Sequence, residues 1–331
     1  MQTFILRRLL SGIVILFVLS VTVFLLLRIV PGDPAIRICG LQCTRAQIDQ
    51  IHKDLGLDKP YFPVELRRDA PFVSFEKDSQ YWNYMSGVLT GDLGTSQFNH
   101  KPVWPQIKNR LPITLELMVL TMVFTIVIGI PFGVVSAVFR NSPADYFVRS
   151  TSVLGLAVPS FWVATLVLVL PSEIWGYAPV LGRKISFMDD PIGNIKQAAP
   201  AAAVLALGSA AGVMRLTRSS LLEVMRQDYM RTARAKGLRE RSVVVSHGLK
   251  NSMIPVITVL GLQVSGLLGG AIIVEQIFNL PGLGQFTLVS LGIKDYDVVQ
   301  TMTLYAGVTV VVMNLVVDVS YAWLDPRIRY S

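Results

Sequence analysis

The chain has 331 residues, 52% of them hydrophobic and only 16% charged, with a mean hydropathy of +0.53. Soluble globular chains carry about 25% charged residues, and here the shortfall is concentrated in long uncharged runs, which excludes an ordinary water-soluble globule. A net charge of +8 would suit nucleic acid if it formed a stripe; it lies instead in the connections between apolar runs, so no nucleic-acid partner is expected. Two cysteines and the scattered His52, His100 and His247 do not make a zinc site or a disulfide framework, and no metal is expected.

A helix needs about 20 mainly apolar residues to cross roughly 30 Å of hydrocarbon, because no other single segment satisfies its own backbone in lipid. Six runs qualify: Leu9 to Leu27, Leu117 to Phe139, Ser150 to Ser172, Gln197 to Met214, Ser252 to Val274 and Val298 to Val317. The fourth is the shortest. The first follows Arg7 and Arg8, as a signal peptide does, but its core is too long for a signal h-region. It also leads into Arg28 and Pro31-Gly32-Asp33-Pro34 with no small-residue cleavage pattern, and therefore reads as a membrane helix.

The long first connection, about Pro31 to Arg110, mixes both charge signs and reads as a solvated outer elaboration. Thr44-Arg45-Ala46-Gln47 has capping-box spacing, and Ile48, Ile51 and Leu55 follow at helical intervals before Gly56. A short amphipathic helix is expected there. Cys39 and Cys43 precede it, and either a local bridge or two thiols fits the spacing; both readings are structural. Tyr81, Trp82 and Tyr84 suit either headgroup-level anchors or packing within the loop.

Basic residues in short connections set orientation, because cationic loops resist translocation. Arg7, Arg8, Arg140, Arg149, Arg215, Arg218, Arg226, Arg231, Arg234, Lys236, Arg239, Arg241, Lys250, Arg327 and Arg329 fall on one side. Only Arg183, Lys184, Lys196 and Lys294 oppose them, so both termini are expected in the cytoplasm.

Within the spans, small residues recur four apart: Ala202, Ala206, Ala210 and Gly208, Gly212 in the fourth; Gly261, Ser265, Gly269 and Gly266, Gly270 in the fifth. Such faces allow close helix approach, and ordinary bundle packing explains them sufficiently. Charges in spans are few. Glu116 follows Leu111-Pro112 in what reads as the first turn of the second span, and Asp318 lies near the inner end of the sixth, one turn after Asn314. Both read as structural, which argues against an ion-driven carrier.

The cytoplasmic segment from about Arg215 to Asn251 is the feature that most requires a function. Good helix formers from Gln227 lead to Gly237, and Ser242 to Leu249 is again helix-compatible, giving two short helices around a glycine turn. A solvated basic loop on anionic lipid is the plainer alternative.

This segment resembles the coupling motif of binding-protein-dependent ABC importer permeases: Glu-Ala-Ala, three residues, Gly, nine residues, Ile-x-Leu-Pro. Arg231, Thr232 and Ala233 occupy the first positions, Gly237 matches, and His247, Gly248, Leu249 and Lys250 occupy the last four; the glutamate, isoleucine and proline are missing. The chain as a whole is similar to the first permease subunit of dipeptide/oligopeptide importers. The resemblance is carried by Val30-Pro31-Gly32-Asp33-Pro34, Gly91-Asp92-Leu93-Gly94-Thr95-Ser96, Arg110-Leu111-Pro112-Ile113-Thr114-Leu115-Glu116 and Pro159-Ser160-Phe161-Trp162. Tyr229 to Leu238, Glu275 with Pro281-Gly282-Leu283-Gly284, and Asp325-Pro326-Arg327-Ile328 add to it. The stretch from about Leu66 to Tyr81 is longer than that family's pattern.

The resemblance implies an all-α polytopic protein with six membrane helices of the type I ABC importer permease fold. It also implies a second permease subunit, two cytoplasmic ATPase subunits, an extracytoplasmic solute-binding protein and surrounding membrane lipid as partners, in a bacterial or archaeal cytoplasmic membrane. On this reading residues 1–30 are the inner terminus and first helix, 31–110 the outer loop region, 111–324 the permease core with a coupling loop at 215–251, and 325–331 an inner tail. The expected coupling residues are Arg231, Thr232, Ala233, Arg234, Ala235, Lys236, Gly237, Leu238 and Leu249. The chain has no Gly-x-x-x-x-Gly-Lys-Ser/Thr, so it is expected to be a transport subunit and not an enzyme, with ATP and Mg on the ATPase partners. Peptides are the expected solute, with nickel complexes, glutathione or oligosaccharides as alternatives. An ATP-independent carrier or channel and a membrane scaffold are the rivals from other classes.

Overall fold

The computed structural model describes residues 2–29, 33–40, 43–66, 73–75, 78–177, 182, 185, 187–268 and 271–324. Two compact units emerge, the larger built around Pro112–Gln285 and the other around Leu6–Leu111 with Phe286–Val308.

In the second unit, α1 (Gln2–Ile29) is a continuous apolar helix. Asp33 caps α2 (Pro34–Cys39) by accepting from the Ala35 N–H at 2.8 Å, and His52 reaches the same carboxylate. Cys39 and Cys43 are bridged. The capping box is present at α3 (Arg45–Asp54), with Thr44 and Gln47 satisfying each other's backbone N–H groups, and Gly56 takes φ +64°. A two-stranded antiparallel ribbon follows, β1 (Val64–Leu66) against β2 (Val73–Phe75), within the stretch whose length departs from the family pattern. Ser79 caps α4 (Gln80–Thr90). Tyr81 is buried, stacks edge-on with Phe24 and shares a 2.9 Å hydrogen bond with Ser20, whereas Trp82 is 43% exposed. Tyr81 is thus a packing residue and not a headgroup anchor.

Among the described residues, five helices are long and apolar enough to cross a membrane, and the number rises to six if one bent pair is counted as a single broken span. The bend corrects the expected third span. Ser150 to Ser172 is not one rod: α6 (Pro143–Ala157) and α7 (Ser160–Trp175) meet at 98°. Pro159 lacks an N–H and pushes Val158 out of the helical region, to ψ 126°.

The second span is also longer than expected. It forms α5 (Val103–Val138), with Pro112 and Pro131 inside it, so Pro112 does not begin the helix and Glu116 is not in its first turn. Val103 and Ile107 are buried at 0% and 1%, and this packing carries the helix through the proline. The fourth span, the shortest by hydropathy, is part of α8 (Pro191–Val224); Arg215 and Arg218 therefore sit on that helix. The fifth expected span is divided, since α11 (Lys250–Leu268) is followed by a separate α12 (Ile272–Ile277). Gly269 and Gly270 lie outside the described residues, as does Asp325-Pro326-Arg327-Ile328. The chain ends with α13 (Leu283–Ile293) and α14 (Tyr296–Leu324).

Close packing in the larger unit rests on glycines of α5. A Cβ at Gly133 would lie 2.7 Å from Thr217 Cβ and 2.8 Å from the Met214 carbonyl, and one at Gly129 would lie 2.8 Å from Val213. Ala201, Ala202, Ala206, Ala210 and Ala211 of α8 are buried, as small-residue faces require when backbones approach.

Candidate functional site

The segment after α8 is built as a two-sided hairpin. Helix α9 (Asp228–Ala235) has an acidic first turn and a basic last turn, which complement the helix dipole. Met230 is fully buried and Ala233 is 7% exposed; both pack on Val243, Val224 and Met225. Full burial of one methionine side chain contributes about 2 kcal/mol, enough to hold an eight-residue helix that would not form alone.

The helix stops at Lys236, and Gly237 takes φ +76°, a conformation that costs glycine least. Across this turn Arg234 grips Glu240 with two bonds, Nε to Oε2 at 3.1 Å and Nη2 to Oε1 at 2.8 Å. The paired carboxylate raises the Arg234 guanidinium further above its usual value. The chain then re-enters helix as α10 (Glu240–Ser242) and passes through a π-helical turn, Val243–Leu249, directly into α11. The expected second short helix is therefore the root of the next span.

That π turn presents Gly248 to the hairpin. A Cβ there would lie 3.1 Å from Leu221 Cδ1 and 3.3 Å from Met230 Cε. Asn251 Nδ2 donates to the Tyr229 hydroxyl at 3.0 Å. Helix α9 thus packs on both the end of α8 and the start of α11.

Arg231, Thr232, Arg234, Ala235, Lys236, Gly237 and Leu238 are exposed, together with Tyr229. Seven of the nine expected residues are exposed; Ala233 packs inward, and Leu249 lies half-buried in the π turn. Met230, Glu240 and Asn251 were not singled out by the motif. The Arg234–Glu240 pair had a sequence signal, opposite charges on either side of a glycine.

A second constellation joins two of the family-like stretches. The Glu275 carboxylate is fully buried. It accepts from Thr114 Oγ1 at 3.0 Å and from the Gln285 N–H at 2.9 Å, while Thr114 Oγ1 accepts from the Leu283 N–H at 2.9 Å. A Cβ at Gly282 would lie 2.5 Å from Glu275 Oε2, and one at Gly284 2.9 Å from it, so the glycines let the chain wrap the carboxylate. Glu116 accepts from Asn194 Nδ2 at 2.7 Å, a contact between α5 and α8. Among the described residues no group of three or more His, Cys, Asp or Glu is placed to hold a metal ion.

Residues 129–330 match the family described as binding-protein-dependent transport system inner membrane component, and residues 1–118 match the N-terminal part of such a membrane component. The glutathione transport system permease proteins GsiC of Escherichia coli (strain K12) and Pectobacterium atrosepticum are each 38% identical to this chain over 331 residues, covering 100% of both chains. Among solved structures, an inward-facing MetNI methionine ABC transporter aligns with a TM-score of 0.52 at 18% identity, covering 66% of this chain and 96% of that one. This likeness concerns the fold alone, and it agrees with the type I ABC importer permease architecture.

Proposed function

The chain belongs to the binding-protein-dependent transport system inner membrane component family, and from that premise we propose that it forms half of the path of an ATP-driven importer for small peptides, glutathione included. Full-length likeness to permeases named for glutathione transport supports the solute class. A second permease completes the path, an extracytoplasmic binding protein delivers the solute, and two ATPase subunits on the cytoplasmic side hold ATP and Mg. Residues 215–251 lie on that side with both termini, a placement that the excess of basic residues in the short connections supports.

The observation that carries this reading is the two-sided construction of α9. Its inner edge, Met230 and Ala233, is locked to the roots of α8 and α11, while Arg231, Thr232 and Arg234 to Leu238 stand exposed. Closure of the ATPases on ATP presses this face, and the packed edge conveys the displacement to the two spans, switching the path between inward-open and outward-open. Such coupling requires that nucleotide favour one of the two conformations. The chain itself is a transport subunit without a nucleotide site.

Gly237 tests the reading. No heavy atom lies within 4 Å of a Cβ built there, so a side chain would project into the space a partner fills. Gly237→Trp and Gly237→Glu are expected to retain membrane abundance and abolish uptake. Wild-type uptake rates by either variant, with the ATPases present, would overturn the docking assignment.

A further inference from the structure

The second unit contains a polar pocket, partly open to its surroundings, for which the transport reading has no use. Its volume is about 220 Å³, and its walls come from the end of α1, the turn after α3, α4, the segment around 92–97 and the start of α14. At about 30 Å³ per water in the liquid, this is room for several waters or for one small polar molecule.

The walls carry both charge signs. Arg28 donates from Nε to Gln80 Oε1 at 3.0 Å and from Nη1 to the Phe24 carbonyl at 3.1 Å. A guanidinium has five N–H donors, so most of its capacity is unspent. Asp297, half-buried in the first turn of α14, has no hydrogen bond or ion pair among the described residues. Arg28 and Asp297 line the same cavity without touching. Asp92 accepts from the Gly94 N–H at 3.0 Å. Gln97 and Gln300 are 9% and 3% exposed, and each has a side-chain carbonyl oxygen with no partner among the described residues.

Buried polar groups are almost always satisfied, and leaving one unpaired costs more than a made bond contributes. Water filling the cavity can meet these groups one by one, but a single solute that replaces the water and meets both walls at once must carry both signs. A simple anion would oppose Asp92 and Asp297, and a simple cation would oppose Arg28.

We propose that this cavity binds a small zwitterion of the α-amino-acid type, its carboxylate on Arg28 and its ammonium on Asp297, with the amides of Gln97 and Gln300 completing the shell. The site lies within one unit and does not depend on which solute the importer carries.

The test uses the assembled importer in nanodiscs without its external binding protein, with equilibrium dialysis of labelled L-alanine. N-acetyl-L-alanine and L-alaninamide, each lacking one charge, serve as competitors, and glycerophosphoethanolamine represents a lipid headgroup. Saturable L-alanine binding is expected, weakened at least tenfold in Asp297→Asn and in Gln300→Leu, with neither charge-deleted analogue competing. Should Asp297→Asn fail to assemble, Gln300→Leu decides alone. Absence of saturable binding, equal competition by either analogue, or unchanged binding in the variants would overturn the proposal. Binding of glycerophosphoethanolamine but not of L-alanine would overturn it too, assigning the cavity to lipid.

Discussion

Arg218 of α8 holds Asp145 of α6 by two bonds, Nε to Oδ1 at 2.8 Å and Nη2 to Oδ2 at 3.0 Å. The carboxylate is fully buried, and Ser136 of α5 donates to the same Oδ1. Three helices are therefore fastened at one charge. A displacement delivered to α8 must carry α5 and α6 with it or break a bidentate pair.

Breaking that pair from one side leaves a buried charge uncompensated, which costs about 3 kcal/mol or more. Asp145→Asn and Arg218→Met are each expected to lower the thermal midpoint of the purified complex sharply. The double variant Asp145→Asn, Arg218→Met is expected to recover part of the loss. Strict additivity of single losses in a double-mutant cycle would show that the two groups act independently.

Gly133 admits no side chain beside Thr217. Overpacking a fitted contact typically costs 1–3 kcal/mol, so Gly133→Ala is expected to destabilise by about 2 kcal/mol and Gly133→Leu to reduce membrane abundance further. Gly212→Ala is the control: nothing lies within 4 Å of a Cβ there, and near-wild-type abundance is expected.

Glu275 is the sole carboxylate in the Thr114–Gln285 node. Glu275→Ala strands the Thr114 hydroxyl and a backbone N–H, and each unsatisfied buried group costs about 1–3 kcal/mol. Loss of the folded subunit is expected by size-exclusion profile, whereas Thr114→Ser keeps the hydroxyl and is expected to elute normally. Normal elution of Glu275→Ala would show that the node is not structural.

The Cys39–Cys43 bridge reports both pairing and sidedness. In right-side-out vesicles, a membrane-impermeant maleimide is expected to label the chain only after a membrane-impermeant reductant. Labelling without reduction would mean free thiols, and labelling confined to inverted vesicles would place this segment inside.

What could be read from sequence was whatever depends on neighbours in the chain. Helix α3 is set by Thr44, Gln47 and the Ile48, Ile51 spacing, and the α9 turn by Gly237, all within a few residues of what they control. Hydropathy measured the composition of Ser150 to Ser172 but not its direction, although Pro159 stood in the quoted motif as the signal for a bend. Pro112 suggested a helix start because proline suits that position; burial of Val103 and Ile107, a tertiary effect, moved the start upstream. The glycines around Glu275 were visible as a pattern, yet their partner Thr114 lies 161 residues from the carboxylate. Contacts at such separation have no local signature, and the same holds for the Arg28 and Asp297 walls of the cavity.

The exposed face of α9 is the surface proposed to be held by a nucleotide-hydrolysing partner. A photo-crosslinker placed at Lys236 in the assembled importer tests it directly, with Leu89 of α4, 79% exposed, as the control position. Crosslinks from Lys236 to an ATPase subunit, altered in yield by ATP and absent at Leu89, are predicted. Crosslinks to the ATPase from Leu89 and none from Lys236 would contradict the account.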